Sequence, residues 1–89
     1  MDIPNTPAEW PKITVQTVAA ATTSQLIARS MGLYQHRIPG DTRWEMQSSL
    51  VLAELERRSK EPALPKHERE AVFDSWRHLN RAMLESIWG

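Results

Sequence analysis

The chain contains no cysteine, three glycines, one phenylalanine, one tyrosine, and no surplus of either charge. Without cysteine there are no disulfides and no thiolate metal sites, which fits a reducing compartment. With glycine only at 32, 40 and 89, there is no glycine-rich loop to cradle a phosphate. Eleven basic residues balance eleven acidic ones, so the chain lacks the basic excess by which a nonspecific nucleic-acid binder holds phosphates. No apolar run approaches the ~20 residues of a membrane span. The opening Met1-Asp2-Ile3-Pro4 puts an acid and a proline where a signal peptide has basic and then apolar residues. These absences point to a cytoplasmic protein with no membrane partner. A chain of 89 residues makes one domain, and its size would suit a phage or mobile element.

What is present reads as helix. Three of the six prolines, at 4, 7 and 11, mark residues 1–12 as an extended arm that carries Trp10. Within it, Thr6-Pro7-Ala8-Glu9 has a helix-start pattern that Pro11 limits to about one turn. Residues 13–16 alternate as a strand would, which leaves 13–18 readable as an edge strand, but Ala19-Ala20-Ala21 and Leu26-Ile27-Ala28 favour a helix over about 14–31. That helix would line up Val15, Ala19, Thr22 and Leu26 and stop at Gly32. Leu33 to Gly40 reads as a loop closed by Pro39-Gly40.

The second helix, about 42–60, starts with Thr42 as cap and Glu45 reaching back, and Asp41 beside them suits its positive end. Its core stripe is Trp44, Ser48, Val51 and Leu55, widened by Leu52. Glu54–Arg58 and Glu56–Lys60 are pairs four apart in the favourable order, worth ~0.2 to 0.5 kcal/mol each. Pro62 and Pro65 mark a turn. The third helix, about 66–88, carries Val72, Trp76, Leu79, Met83 and Ile87 on one face, broadened by Phe73, Leu84 and Trp88, with Trp76 expected in the core. The fold class that follows is all-α, a small three-helix bundle with an extended N-terminal arm.

Candidate chemistry is sparse. His67-Glu68-Arg69-Glu70-Ala71 begins like a zinc-protease helix, but Ala71 stands where the second histidine ligand belongs, so no metal is expected. Asp74 and His78, four apart, can pair as carboxylate and imidazole, yet neither Ser75 nor Ser86 carries a nucleophile signature. Ile27, Ala28, Met31, Gly32, Leu33 and Ile38 resemble the spacing of structural positions in a helix-turn-helix, which implies Gly32 in the turn and Tyr34, Gln35, His36 and Arg37 towards DNA. Pro39-Gly40 departs from that pattern, because it falls where the reading helix should continue.

Four tryptophans in so short a chain speak for interfaces as well as core, since tryptophan joins a large apolar area to a polar N–H. Trp10 and Trp88, near the chain ends, and Tyr34, His36 and Arg37, in the expected loop, are the candidate protein-binding residues. The expected function is a non-catalytic protein acting by protein–protein binding, as accessory subunit, adaptor or inhibitor. Its partner would be another protein, or itself in a homodimer, with no cofactor. The alternative is a small helix-turn-helix-like DNA-binding regulator, for which nucleic acid would be the partner.

Overall fold

The computed structural model describes residues 14–88. They form an all-helical bundle: α1 (Val15–Ala20), α2 (Thr23–Gln35), α3 (Thr42–Ser59) and α4 (Lys66–Trp88), with no strand among the described residues. The expected arm, with Trp10, lies outside them. The all-helical reading holds, and the second and third expected helices appear close to their expected bounds. The first expected helix is in fact two.

The break is written in threonine. Thr22 Oγ1 accepts from the Gln25 N–H at 3.1 Å, and Gln25 Oε1 accepts from the Thr22 N–H at 2.9 Å. This reciprocal pair starts a helix, so Thr22 cannot also continue the one before it, and Ala21 turns extended at φ −68°, ψ 144°. Thr14 and Thr17 build the same box at the start of α1. The break re-phases the apolar positions. Val18 is buried, whereas Val15 and Ala19, expected on the inner face, are exposed.

Gly32, expected to stop the helix, lies inside α2, which runs on to Gln35 and carries Leu33 into the core. The helix-turn-helix spacing is therefore not realised there: Ile27 to Leu33 occupy one continuous helix, and no turn falls at Gly32. The glycine that the backbone does require is Gly40, at φ +80°. The cap of α3 is Asp41 rather than Thr42. Its Oδ1 accepts from the Trp44 N–H at 2.9 Å, and its full negative charge suits the positive helix end. Glu45 does not reach back; its Oε2 accepts from Ser86 Oγ at 2.7 Å, and Ser86 Oγ in turn accepts from the Gly40 N–H at 2.8 Å. The connection before α3 is thereby tied to the end of α4.

Tyr34 meets His78 and Gly40 meets Ser86, so α2 and α4 run in the same direction. Arg58, at the end of α3, reaches Thr23 at the start of α2, so α3 runs against them. The core comprises Val18, Leu26, Leu33, Trp44, Val51, Leu52, Leu55, Val72, Leu79, Ala82 and Met83. The whole expected stripe of α3 is buried. On α4, Val72, Leu79 and Met83 go inward, whereas Phe73, Leu84, Ile87 and Trp88 stay exposed. Trp76 packs only on the core's edge and stacks on Phe73, with centroids 5.8 Å apart. The tryptophan in the core is Trp44.

Helix C-termini leave carbonyls without partners inside the helix, and here side chains and the backbone just beyond the helix take several of them up. Trp44 Nε1 donates to the Leu33 carbonyl at 2.8 Å, Arg37 Nη1 to that of Tyr34 at 2.9 Å, and the His36 N–H to that of Gly32 at 3.0 Å. At the end of α1, Arg58 Nη2 donates to the Ala21 carbonyl at 2.6 Å and approaches those of Ala19 and Val18 at 3.2 and 3.4 Å. The Glu54–Arg58 pair expected from its spacing forms at 2.6 Å, and both side chains are about nine-tenths buried. The Glu56–Lys60 pair does lie on the surface.

One core position is polar without a partner. Ser48 is fully buried, and its Oγ finds no hydrogen bond. An unmet buried hydroxyl costs about 1 to 3 kcal/mol, and alanine is the better helix former. Ser48→Ala is therefore expected to stabilise the fold by about 1 kcal/mol, read as a higher urea midpoint at unchanged slope. A lower midpoint would show that the hydroxyl is satisfied after all.

Candidate functional site

Between the last turns of α2 and the middle of α4 lies an open groove of about 340 Å³, lined by Ser30, Met31, Tyr34, Gln35, Asp74, Ser75 and His78. Two parallel helices build it. Ser30 is spent on structure, since its Oγ donates to the Ile27 carbonyl at 2.7 Å. One turn on, Tyr34 stands edge-on to His78, ring centroids 6.0 Å apart and planes at 89°. That is the favourable T-shaped arrangement of two ring systems. Arg37 lies over the other part of the assembly, its guanidinium carbon 4.7 Å from the centre of the Tyr34 ring. The same guanidinium donates to the Tyr34 carbonyl, so the cation–π contact and a helix cap hold it in one place.

His78 Nδ1 lies 2.8 Å from the Asp74 carbonyl oxygen. A carbonyl only accepts, so Nδ1 carries the proton, and in the neutral ring Nε2 is left as an acceptor. The carboxylate of Asp74 is engaged elsewhere: Oδ1 accepts from Arg77 Nη2 at 2.6 Å, and Oδ2 stays 3.9 Å from His78 Nδ1. The carboxylate–imidazole pair suggested by the spacing is therefore loose, and the backbone orients the ring instead. Among the described residues no hydrogen bond joins Ser75 to His78, and no three His, Asp or Glu side chains gather as metal ligands.

The five candidate binding residues fare differently. Tyr34 and Arg37 come together, Tyr34 on the last turn of α2 rather than in a loop and Arg37 in the connection just beyond it. His36 is half-buried and closes α2 through its backbone N–H. Trp88, 82% exposed, stands at the far end of α4, ten residues or about 15 Å from His78. Trp10 lies outside the described residues. Two members of the groove were missed. Met31, 54% exposed, counts in the sequence only as a structural position of the helix-turn-helix spacing, and His78 only as a pairing partner for Asp74. Helix spacing sets Asp74 and His78 nearly opposite the stripe of Val72, Trp76, Leu79 and Met83, so the apolar pattern of α4 carries no signal for them.

Comparison of the chain with protein-family models, with curated proteins and with solved structures returns no match. The functional argument accordingly rests on the chemistry of this surface. It offers a flexible thioether, a partly exposed aromatic ring, a fixed guanidinium and an imidazole acceptor. Those groups suit recognition of another molecule's side chains.

Among the described residues no helix is long and apolar enough to cross a membrane.

Proposed function

We propose that this is a non-catalytic binding protein, an adaptor, accessory subunit or inhibitor, that engages another protein through the α2–α4 groove. One observation carries the reading: Tyr34, Arg37 and His78 are held together at the surface by their own contacts before any partner arrives, with Met31 beside them in the groove. Tyrosine and arginine are enriched among residues that dominate binding energy, and side chains already held in place lose less entropy on binding. Methionine adapts to irregular partners. The partner segment that fits would lay an apolar or aromatic side chain on Met31 and Tyr34 and donate a hydrogen bond to His78 Nε2.

The test is paired capture from the native host with the natural chain and with Tyr34→Ala/Arg37→Ala, followed by titration of the purified partner against both. Tyr34 and Arg37 are exposed, so the double variant should keep its helical circular dichroism. Its affinity should fall by on the order of 30-fold or more, the scale of a hot-spot loss. Equal affinity would remove the groove from consideration. A captured nucleic acid whose binding falls steeply with salt would instead favour the DNA-binding alternative.

A further inference from the structure

The α2–α4 groove selects among the side chains that a partner could insert. Its volume, about 340 Å³, lies at the small end of the ~300 to 1,000 Å³ typical of sites for compact ligands. One large side chain suits that space better than a whole segment. The apolar surface comes from Met31, 54% exposed, and from the ring of Tyr34, 36% exposed. A thioether makes favourable contacts with an aromatic ring, and a further ring packs well edge-on or offset against a tyrosine. Ser30 and Ser75, in the same lining, are too small to fill the space themselves.

The polar requirement is narrower. His78 Nδ1 carries the proton that is bonded to the Asp74 carbonyl, so Nε2 presents a lone pair and no hydrogen. A carboxylate only accepts; it cannot bond that nitrogen, and it would also meet the Asp74 carboxylate. An ammonium or guanidinium finds Asp74 already held by Arg77 at 2.6 Å, and the Arg37 guanidinium carbon 4.7 Å from the centre of the Tyr34 ring. A neutral donor meets neither obstacle. Leucine and phenylalanine have no donor, and a phenol brings an acceptor that a lone pair does not serve. Indole is a broad apolar ring with one N–H and no acceptor.

We propose that the groove receives a tryptophan side chain of another protein, the indole lying on Met31 and Tyr34 with its N–H donated to His78 Nε2. This assignment rests on the binding role proposed for the groove and names what enters it.

Titration of the full chain with N-acetyl-tryptophanamide, followed by nuclear magnetic resonance, is the test. The amide should bind with a dissociation constant on the order of a millimolar, the scale open to so few atoms. It should move the Met31 methyl and Tyr34 ring signals and shift the His78 Nε2 nitrogen. Methylating the indole nitrogen removes the donor, so affinity should fall by on the order of 5-fold and the His78 shift should vanish. His78→Leu should bring the two tryptophan amides to equal affinity. The amides of leucine, tyrosine, arginine and glutamate should all bind more weakly than that of tryptophan. A competitor that binds as tightly, equal affinity for the methylated indole in the natural chain, or no binding by the tryptophan amide would each overturn the proposal. The chain has tryptophans of its own at 10 and 88. If Trp10→Ala or Trp88→Ala opens the groove to the amide, the natural occupant is the chain's own indole, and a foreign one is refuted. The two readings fail separately. Partner binding that Tyr34→Ala/Arg37→Ala abolishes, in a chain that ignores the tryptophan amide, removes the indole and keeps the groove; partner binding unchanged in that variant removes the groove itself.

Discussion

Replacing Arg58 by alanine is expected to destabilise the protein by about 3 kcal/mol or more, a loss typical of breaking a buried ion pair. A protein of this length has only about 4 to 13 kcal/mol in total. Most of the damage should fall on α1. The Ala21, Ala19 and Val18 carbonyls lose their shared donor, whereas Glu54 keeps the fork of Arg57, at 3.1 and 2.7 Å. Hydrogen exchange should therefore show the α1 amides opening well before those of α3. Lysine should not rescue the site, because one ammonium cannot span Glu54 and the Ala21 carbonyl as a guanidinium does. The same cluster sets an acid limit. The hydrogen bond from Arg57 holds Glu54 below the usual carboxylate range, against the opposing effect of burial and with further help from Arg58. A carboxyl group lowered on folding adds stability at neutral pH that disappears as pH falls through and below that range. The urea midpoint should thus drop on acidification, and Glu54→Gln should flatten the drop while costing less at neutral pH than Arg58→Ala. Parallel pH profiles for Glu54→Gln and the natural chain would refute this account of the cluster.

Arg58 also shows where sequence reading reaches its limit. Periodicity identifies which face of a helix is apolar, and the stripe from Trp44 to Leu55 lies inside as its spacing requires. Spacing also gave Glu54 and Arg58 as neighbours, but the same i, i+4 pair serves equally on a solvated surface. Only the corner between α1 and α2, thirty-seven residues away at Ala21, makes the pair buried. That corner was itself legible, since Thr22 and Gln25 have capping-box spacing; the alanine run on one side and Leu26-Ile27-Ala28 on the other masked it. The groove was half legible. Tyr34 and Arg37 announce themselves by residue type, but the meeting of Tyr34 with His78 depends on α2 and α4 running in parallel, which no local pattern encodes. Trp76 and Trp44 exchange their expected ranks for a similar reason. Both lie on apolar stripes, yet only the assembled bundle decides which indole is enclosed: Trp44 is buried, whereas Trp76 packs at the core's edge.

That exchange leads to the other large effect. Trp44→Ala should cost about 3 to 5 kcal/mol, lowering the melting temperature by roughly 12 °C or more at 4 to 8 °C per kcal/mol. Trp76→Ala should cost clearly less, because Trp76 is only partly buried and part of its lost contact is replaced by water. Equal losses would mean that α4 sits deeper against α3 than the burial of these residues implies. Trp44→Phe is the more informative variant. It retains most of the apolar area but removes the Nε1 donor, leaving the Leu33 carbonyl unmet at a cost of about 1 to 3 kcal/mol. Leu33 precedes Tyr34 on the last turn of α2, so the indole N–H closes the turn from which Tyr34 faces His78. Trp44→Phe should therefore speed hydrogen exchange at the His36 N–H, which is bonded to the Gly32 carbonyl of that turn. It should also weaken Tyr34-dependent partner binding, although Trp44 itself is buried away from the groove. If binding is unchanged while the turn opens, Tyr34 acts independently of the helix end that carries it, and the preorganised groove is not the source of affinity.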